Sequence, residues 1–324
     1  MTKDAVLDLL RQNADTFVSG AEIGRQLSVS RTAVWKAIEQ LKEDGYRIDS
    51  VPNKGYLLSS VSDVLSEEGI ARYLKDPRLP IRVYPSITST NTVLKAMAAD
   101  GVPAPLALIA GEQTNGRGRM GRSFYSPSRT GLYMSLLLRP GIAAADVTGI
   151  TACAAVAVAQ TIEQLSGQEA AIKWVNDVYV QGKKVCGILT EASIDCETGV
   201  IHYLIIGIGI NTALPEKDFP EELRAIAGAA FMGDPVPDLR CRLAAGVLDL
   251  LMAFSDDLTD ERIFTEYKKR LLVLGRPINI LAVGKEPEPA TVLDLERDYA
   301  LLVRCEDGSI RRLNSGEVSV RLTK

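Results

Sequence analysis

The apolar positions of the first sixty residues fall on three helical faces and then alternate. Val6, Leu9 and Leu10 share one face of a first helix. Ser19-Gly-Ala-Glu22 reads as a capping box opening a short second helix with Ile23 and Leu27 inside. Ser28-Val-Ser30 reads as the turn. Ser30 is a good N-cap for a third helix, Arg31 to about Asp44, whose inner face is Val34, Ile38 and Leu41. Gly45 stops it. Tyr46 to Leu58 then alternates around Pro52-Asn-Lys-Gly55, as a hairpin does. Three helices and a hairpin predict a winged helix-turn-helix over residues 1–60. Residues 61–80 read as a linker with a short helix, Glu67 to Leu74, ended by Pro77 and Pro80.

A different pattern begins near Ile81. Strands are expected at 81–84, 106–110 (buried), 132–138, 171–180, 185–191 and 201–211, with helices at 92–99, 144–165, 239–254 and 261–272. Hairpin-like neighbours favour a mixed sheet backed by helices over residues 81–272, an α+β domain. From Gly275 the strands become short and are split by Gly or Asp turns (277–281, 288–296, 300–305, 309–314). That predicts a small β-barrel over residues 273–324.

Charge sharpens the picture. The 324 residues carry a formal charge of −4, yet Glu112 to Asp146 contains no intervening acid and five arginines: Arg117, Arg119, Arg122, Arg129 and Arg139. Three of them alternate with glycine in Gly116-Arg-Gly-Arg-Met-Gly-Arg122. Glycine lets backbone amides approach a ligand, and arginine presents a planar fork to carboxylate or phosphate. The loop therefore reads as a polyanion site, such as one for a nucleoside triphosphate, or as a basic RNA-contacting turn. The Gly-x4-Gly-Lys-Ser/Thr phosphate loop is absent. Residues 1–60 hold eight basic and eight acidic residues, whereas 25–42 hold four basic and one acidic. This concentrates charge on the third helix. Ser30, Arg31, Thr32 and Lys36, with Lys54 at the wing tip, form a candidate DNA face, the alternative being a protein-interaction module. A neutral module is expected to bind DNA as a dimer.

Other chemistry is limited. The single histidine, His202, lies in an apolar run and reads as structural, which disfavours metal sites built on histidine and a Ser-His-Asp triad. Five cysteines without a Cys-x-x-Cys spacing fit reduced thiols and a cytoplasmic location. No apolar run suits a membrane span. Thr88-Ser-Thr-Asn91 either caps the next helix or turns its polar groups to a ligand.

Four segments in order then carry a resemblance. Gly116-Arg-Gly-Arg-Met-Gly-Arg122, Lys173-Trp-Val-Asn-Asp177, Lys184-Val-Cys-Gly-Ile-Leu189 and Gly207-Ile-Gly-Ile-Asn211 together resemble the biotin protein ligases. With the winged helix in front, the chain resembles the bifunctional biotin operon repressors. The resemblance implies a class II synthetase-like central sheet and an SH3-like C-terminal barrel. It also implies ATP, Mg2+ and biotin as ligands. Formation of biotinyl-5′-AMP would be followed by transfer to a lysine of the biotin carboxyl carrier domain of acetyl-CoA carboxylase or a related carboxylase. Operator DNA and a second copy of the chain are the other implied partners.

By motif, Ser89, Thr90, Asn91 and Gln113 would meet biotin's ring, and Arg117, Gly118, Arg119 and Lys184 its carboxylate. Arg119, Arg122, Phe124, Asn176, Asp177 and Asn211 would meet the nucleotide, with Asp177 also the magnesium ligand. Lys184 and Arg119 would be the catalytic pair. Two positions depart from the family pattern: Val175 stands where proline is usual, and Phe124 where tryptophan is usual. A lipoate ligase and a biotin-sensing repressor without catalysis are the competing readings.

Overall fold

The computed structural model describes all residues except 1, 14–15, 60–62, 144–145, 195–196, 198, 256–259, 283–285, 315–317 and 323–324. The expected helix start at Ala144, and Cys196, lie outside the described residues. The chain forms two compact units, one of residues 1–70 with 234–242, the other of 71–233 with 243–324.

The first unit contains α1 (Thr2–Gln12), α2 (Gly20–Leu27), α3 (Arg31–Glu43) and the antiparallel hairpin β1 (Ile48–Val51) and β2 (Gly55–Leu58), followed by α4 (Glu67–Ala71). The expected faces meet in one core: Val6, Leu9, Leu10, Ile23, Val34, Ile38 and Leu41 are buried together. Ser19 Oγ accepts from Glu22 N at 3.1 Å. The Glu22 carboxylate, however, turns to Arg25 and Gln26, so only half of the capping box forms. Gly55 holds a positive φ of 108° at the wing, where a Cβ would fall 2.2 Å from Val18 O. The 234–242 segment is bound by Arg240 Nε to Asp63 (2.8 Å) and by Asp238 to Arg11 (3.2 Å). Sequence periodicity gave no sign of that excursion.

The second unit is built on a seven-stranded mixed sheet. Its elements are β3 (Ile81–Tyr84), α5 (Thr90–Ala99), β4 (Leu106–Ala110), β5 (Gly131–Leu138), α6 (Val147–Ser166), β6 (Ala170–Lys173), β7 (Asp177–Val180), β8 (Lys183–Ile194) and β9 (Ile201–Asn211). The strand order is β3-β4-β5-β9-β8-β7-β6, and only β3 and β4 pair in parallel. The long strand expected over 171–180 is instead two: Trp174-Val-Asn176 forms the turn of a tight hairpin between β6 and β7. Asn176 and Asp177 of the polar insertion line the cavity described below. Then come α7 (Glu221–Arg224), α8 (Leu239–Ser255) and α9 (Glu261–Lys269). The C-terminal β10 (Pro277–Ala282), β11 (Glu288–Leu295), β12 (Leu301–Cys305), β13 (Ile310–Leu313) and β14 (Val318–Leu322) form an antiparallel sheet in the order β13-β12-β11-β10-β14. The fifth strand, β14, adds to the four expected.

Candidate active site

Every ligand-site residue expected from the sequence lines one cavity of about 330 Å³ over the central sheet. Ser89, Thr90, Asn91 and Gln113 lie at one part of it, and the arginine loop with Lys184, Asn176, Asp177 and Asn211 completes it.

The polar part is a prearranged network. Thr90 and Asn91 open α5 and are 4% exposed. Gln113 Oε1 accepts from Thr90 N at 2.9 Å and from Thr90 Oγ1 at 3.1 Å, while its Nε2 donates to Ser126 Oγ at 3.0 Å. Ser135 Oγ lies 2.7 Å from Thr90 Oγ1 and 2.6 Å from Asn91 Oδ1. Asn91 Nδ2 donates to Leu189 O (3.2 Å) and to Glu191 Oε2 (2.9 Å). Asn91 lines the cavity while its amide also hydrogen-bonds to the sheet. Ser89 does cap the helix, but weakly, at 3.5 Å to Thr92 N.

The glycines of β8 and β9 are explained by what lies on them. A Cβ at Gly207 would fall 2.0 Å from Asn91 Oδ1, and one at Gly209 would fall 2.5 Å from the Phe124 ring. Phe124 thus packs against bare backbone, and a Cβ at Gly187 would also come within 3.3 Å of its ring.

The charged part is internally paired. Lys184 Nζ sits 2.7 Å from Asp177 Oδ1. Arg117 Nη1 sits 3.1 Å from Glu191 Oε1. Arg119 Nη1 donates to Asn176 Oδ1 at 3.0 Å, and burial draws its pKa down, although a guanidinium keeps its proton at any relevant pH. Arg122 is exposed and lines the cavity, with no ion pair among the described residues. The loop closes on itself through Gly118 N to Arg122 O (2.7 Å) and Phe124 N to Gly116 O (2.9 Å). The turn that carries Asn176 is held from behind. Tyr267 Oη donates to Val175 O at 3.1 Å, and Trp174 Nε1 donates to Tyr299 O at 2.8 Å. Burial raises the pKa of Tyr267, so its hydroxyl stays a donor. The Trp174–Val175 peptide is cis.

Reasoning on residue types missed Glu191 and Ser135, because strand register alone brings them to the site. It also missed residues 212–228, whose Phe219, Leu223, Ile226 and Ala227 form an apolar wall of the cavity. On α3, Ser30, Arg31, Thr32 and Lys36 are exposed, as is Lys54 on the wing. Ser30 Oγ also accepts from Ala33 N as a cap. Trp35, unremarked in the sequence, is 54% exposed on the same helix. His202 is on β9 and exposed, away from this chemistry.

Comparison with known proteins decides the relationship. Residues 83–211 match the biotin/lipoate A/B protein ligase family, residues 2–57 an HTH domain, and residues 273–321 the biotin protein ligase C-terminal domain. The bifunctional ligase/repressor BirA of Bacillus subtilis is 40% identical over 224 residues, 68% of either chain. BirA of Escherichia coli is 30% identical over 309 residues, 94% of this chain and 93% of that one. The chain belongs to the bifunctional biotin ligase/repressor family. A biotin protein ligase of Aquifex aeolicus, solved with biotin and ATP, superposes with a TM-score of 0.61 at 27% identity, covering 75% of this chain and 99% of that one. The chain therefore joins a biotin ligase catalytic domain to a helix-turn-helix domain. No helix among the described residues is long and apolar enough to cross a membrane.

Proposed function

We propose that this protein joins biotin and ATP into biotinyl-5′-AMP, then passes the biotinyl group to a carrier lysine. The carrier is the biotin carboxyl carrier domain of acetyl-CoA carboxylase or a related carboxylase. The observation that carries the reading is the meeting, in one cavity, of Arg117, Arg119, Arg122 and Lys184 with the polar network around Thr90 and Gln113.

In the first step a carboxylate oxygen of biotin attacks the α-phosphorus of ATP and pyrophosphate leaves. Two anions approach and negative charge builds on the phosphoryl oxygens. Fixed cations answer both problems without titrating, so catalysis is positioning and electrostatics. Lys184 neutralises the pair from beside Asp177, while Arg119 is braced by Asn176. In the second step the carrier amine attacks the acyl carbon of the mixed anhydride and AMP leaves.

A magnesium ion would enter with the nucleotide. No cluster of three or more metal-ligating side chains exists among the described residues. Magnesium suits one or two carboxylates completed by phosphates and water, and Asp177 can be that carboxylate because its contacts with Lys184 and Asn176 both fall on Oδ1. When bound, the ion would neutralise the leaving pyrophosphate.

The winged unit would bind operator DNA through α3 and the wing, as a homodimer, with biotinyl-AMP as corepressor. The balanced charge of residues 1–60 supports pairing, because one such module holds few phosphates. The four described cysteines are buried thiols, in keeping with a cytoplasmic location.

Pyrophosphate release with biotin against lipoate tests the enzyme. Release with biotin alone is expected; release with lipoate favours the lipoate ligase reading, and release with neither leaves a ligand-sensing repressor.

A further inference from the structure

The chemistry proposed above uses Arg119 and Asn176 but gives no part to Tyr267, which lies on α9 and is fully buried. Its hydroxyl donates to Val175 O at 3.1 Å. One residue further on, Asn176 O accepts from Ile188 N at 3.0 Å. Those two carbonyls belong to the two peptide planes that flank Asn176. A peptide unit is planar, so holding both planes sets φ and ψ of the residue between them, and with them the direction of its side chain. The Asn176 amide is then committed at both ends. Nδ2 donates to Ile188 O at 2.9 Å and to Asp177 Oδ1 at 3.2 Å, which leaves Oδ1 to accept from Arg119 Nη1 at 3.0 Å. The Tyr267 ring is itself confined. It meets Tyr299 edge-on with centroids 5.3 Å apart, and Tyr299 meets Phe264 of α9 at 5.7 Å. Tyr299 O accepts from Trp174 Nε1 at 2.8 Å, so the same aromatic group holds the turn at a second point.

We propose that Tyr267 is a positioning residue for adenylation: through Val175 O it fixes the orientation of Asn176, and Asn176 in turn holds the Arg119 guanidinium for the reacting anions. A buried carbonyl left without a donor is costly, so removing the phenol lets the turn move toward another partner. The effect falls on the charged part of the cavity. The network around Thr90 and Gln113 runs through Ser126 and Ser135, not through this turn, so the hold on the biotin ring is separate from it. The inference rests on the ligase reading.

The test uses the full-length protein. Tyr267→Phe keeps the ring, and so its packing on Tyr299, and removes only the donor. Single-turnover pyrophosphate release at saturating biotin and ATP is expected to slow about tenfold, the order of one buried polar group left without its partner. The Kd for biotin measured without ATP should stay within about twofold, as for an independent site. A tyrosine that only stabilised the fold would lower Tm on substitution and leave the release rate intact. Asn176→Ala breaks the same path nearer to Arg119. In that background Tyr267→Phe should slow release by no more than about twofold further, because both act through one interaction. A near-parent release rate in Tyr267→Phe overturns the inference. So do losses that multiply in the double variant, or a biotin affinity that falls as far as the rate. If the unmodified protein releases no pyrophosphate with biotin and ATP, the ligase reading falls and this inference with it.

Discussion

Asp177 neutralises Lys184 and Glu191 neutralises Arg117 within one site, so an anionic ligand enters by exchanging partners with carboxylates already in place. Two predictions follow from that pairing. Lys184→Ala removes the cation proposed to meet the biotin carboxylate and should cost about 2–4 kcal/mol in the adenylation barrier, the scale of one preorganised donor. Single-turnover pyrophosphate release measures it, and a near-normal rate would remove Lys184 from the mechanism. Glu191→Gln keeps an acceptor for Asn91 but ends the ion pair with Arg117, which is 45% exposed. Such a pair is worth about 0–1 kcal/mol, so biotin affinity should shift less than about fivefold. Glu191→Ala also strips Asn91 of its acceptor and should weaken biotin binding further. Titration of biotin into both variants separates the pair from the brace. The cations were legible in the sequence because they stand in a stretch without acids. Glu191 was not, because its value comes from β8 register, which sets it opposite Ile205 and within reach of α5.

At the scale of elements, period and turn chemistry made the winged helix readable, since its faces close on each other within sixty residues. The β6–β7 hairpin was misread as one strand because Trp174 and Val175 continue the apolar run, and tertiary contacts to Tyr267 and Tyr299 determine the turn. The 212–228 segment with α7 was invisible, a helix of 4 residues having no period to detect. The arginine loop has no buried apolar side chain within residues 116–122 and is held mainly by its own backbone bonds. Few apolar contacts mean low local stability. Biotin plus ATP should therefore slow protease cleavage after Arg117 or Arg119, and equal rates with and without ligand would contradict the loop's role. On α3, Arg31→Ala should weaken DNA binding and leave biotinylation unchanged. Trp35→Ala should also weaken DNA binding, because its exposed ring can make apolar contact with thymine methyls in the groove. Gel-shift titration at fixed salt decides both; a Trp35 variant that binds like the parent places the ring outside the groove.

For the whole molecule the open question is whether catalysis and DNA binding are linked or only share a chain. The winged unit is neutral over residues 1–60, and the proposed pairing of two copies would strengthen its hold on an operator through effective concentration. The arginine loop has no buried apolar side chain within residues 116–122, and the switch reading supposes that ordering it around the adenylate builds a dimer surface. If it does, adenylate favours the dimer and the dimer favours DNA. Couplings of this kind amount to about 1–3 kcal/mol, roughly 5–150-fold in affinity. Linkage is reciprocal, so operator DNA should tighten adenylate binding by the same factor. Operator affinity measured at one salt concentration with no ligand, with biotin, and with a non-hydrolysable biotinyl-AMP analogue decides the matter. The analogue should give the tightest binding and a concentration-dependent dimer by sedimentation. Equal affinities in all three conditions would sink the switch and leave the ligase standing, because nothing in the adenylation chemistry requires the second copy.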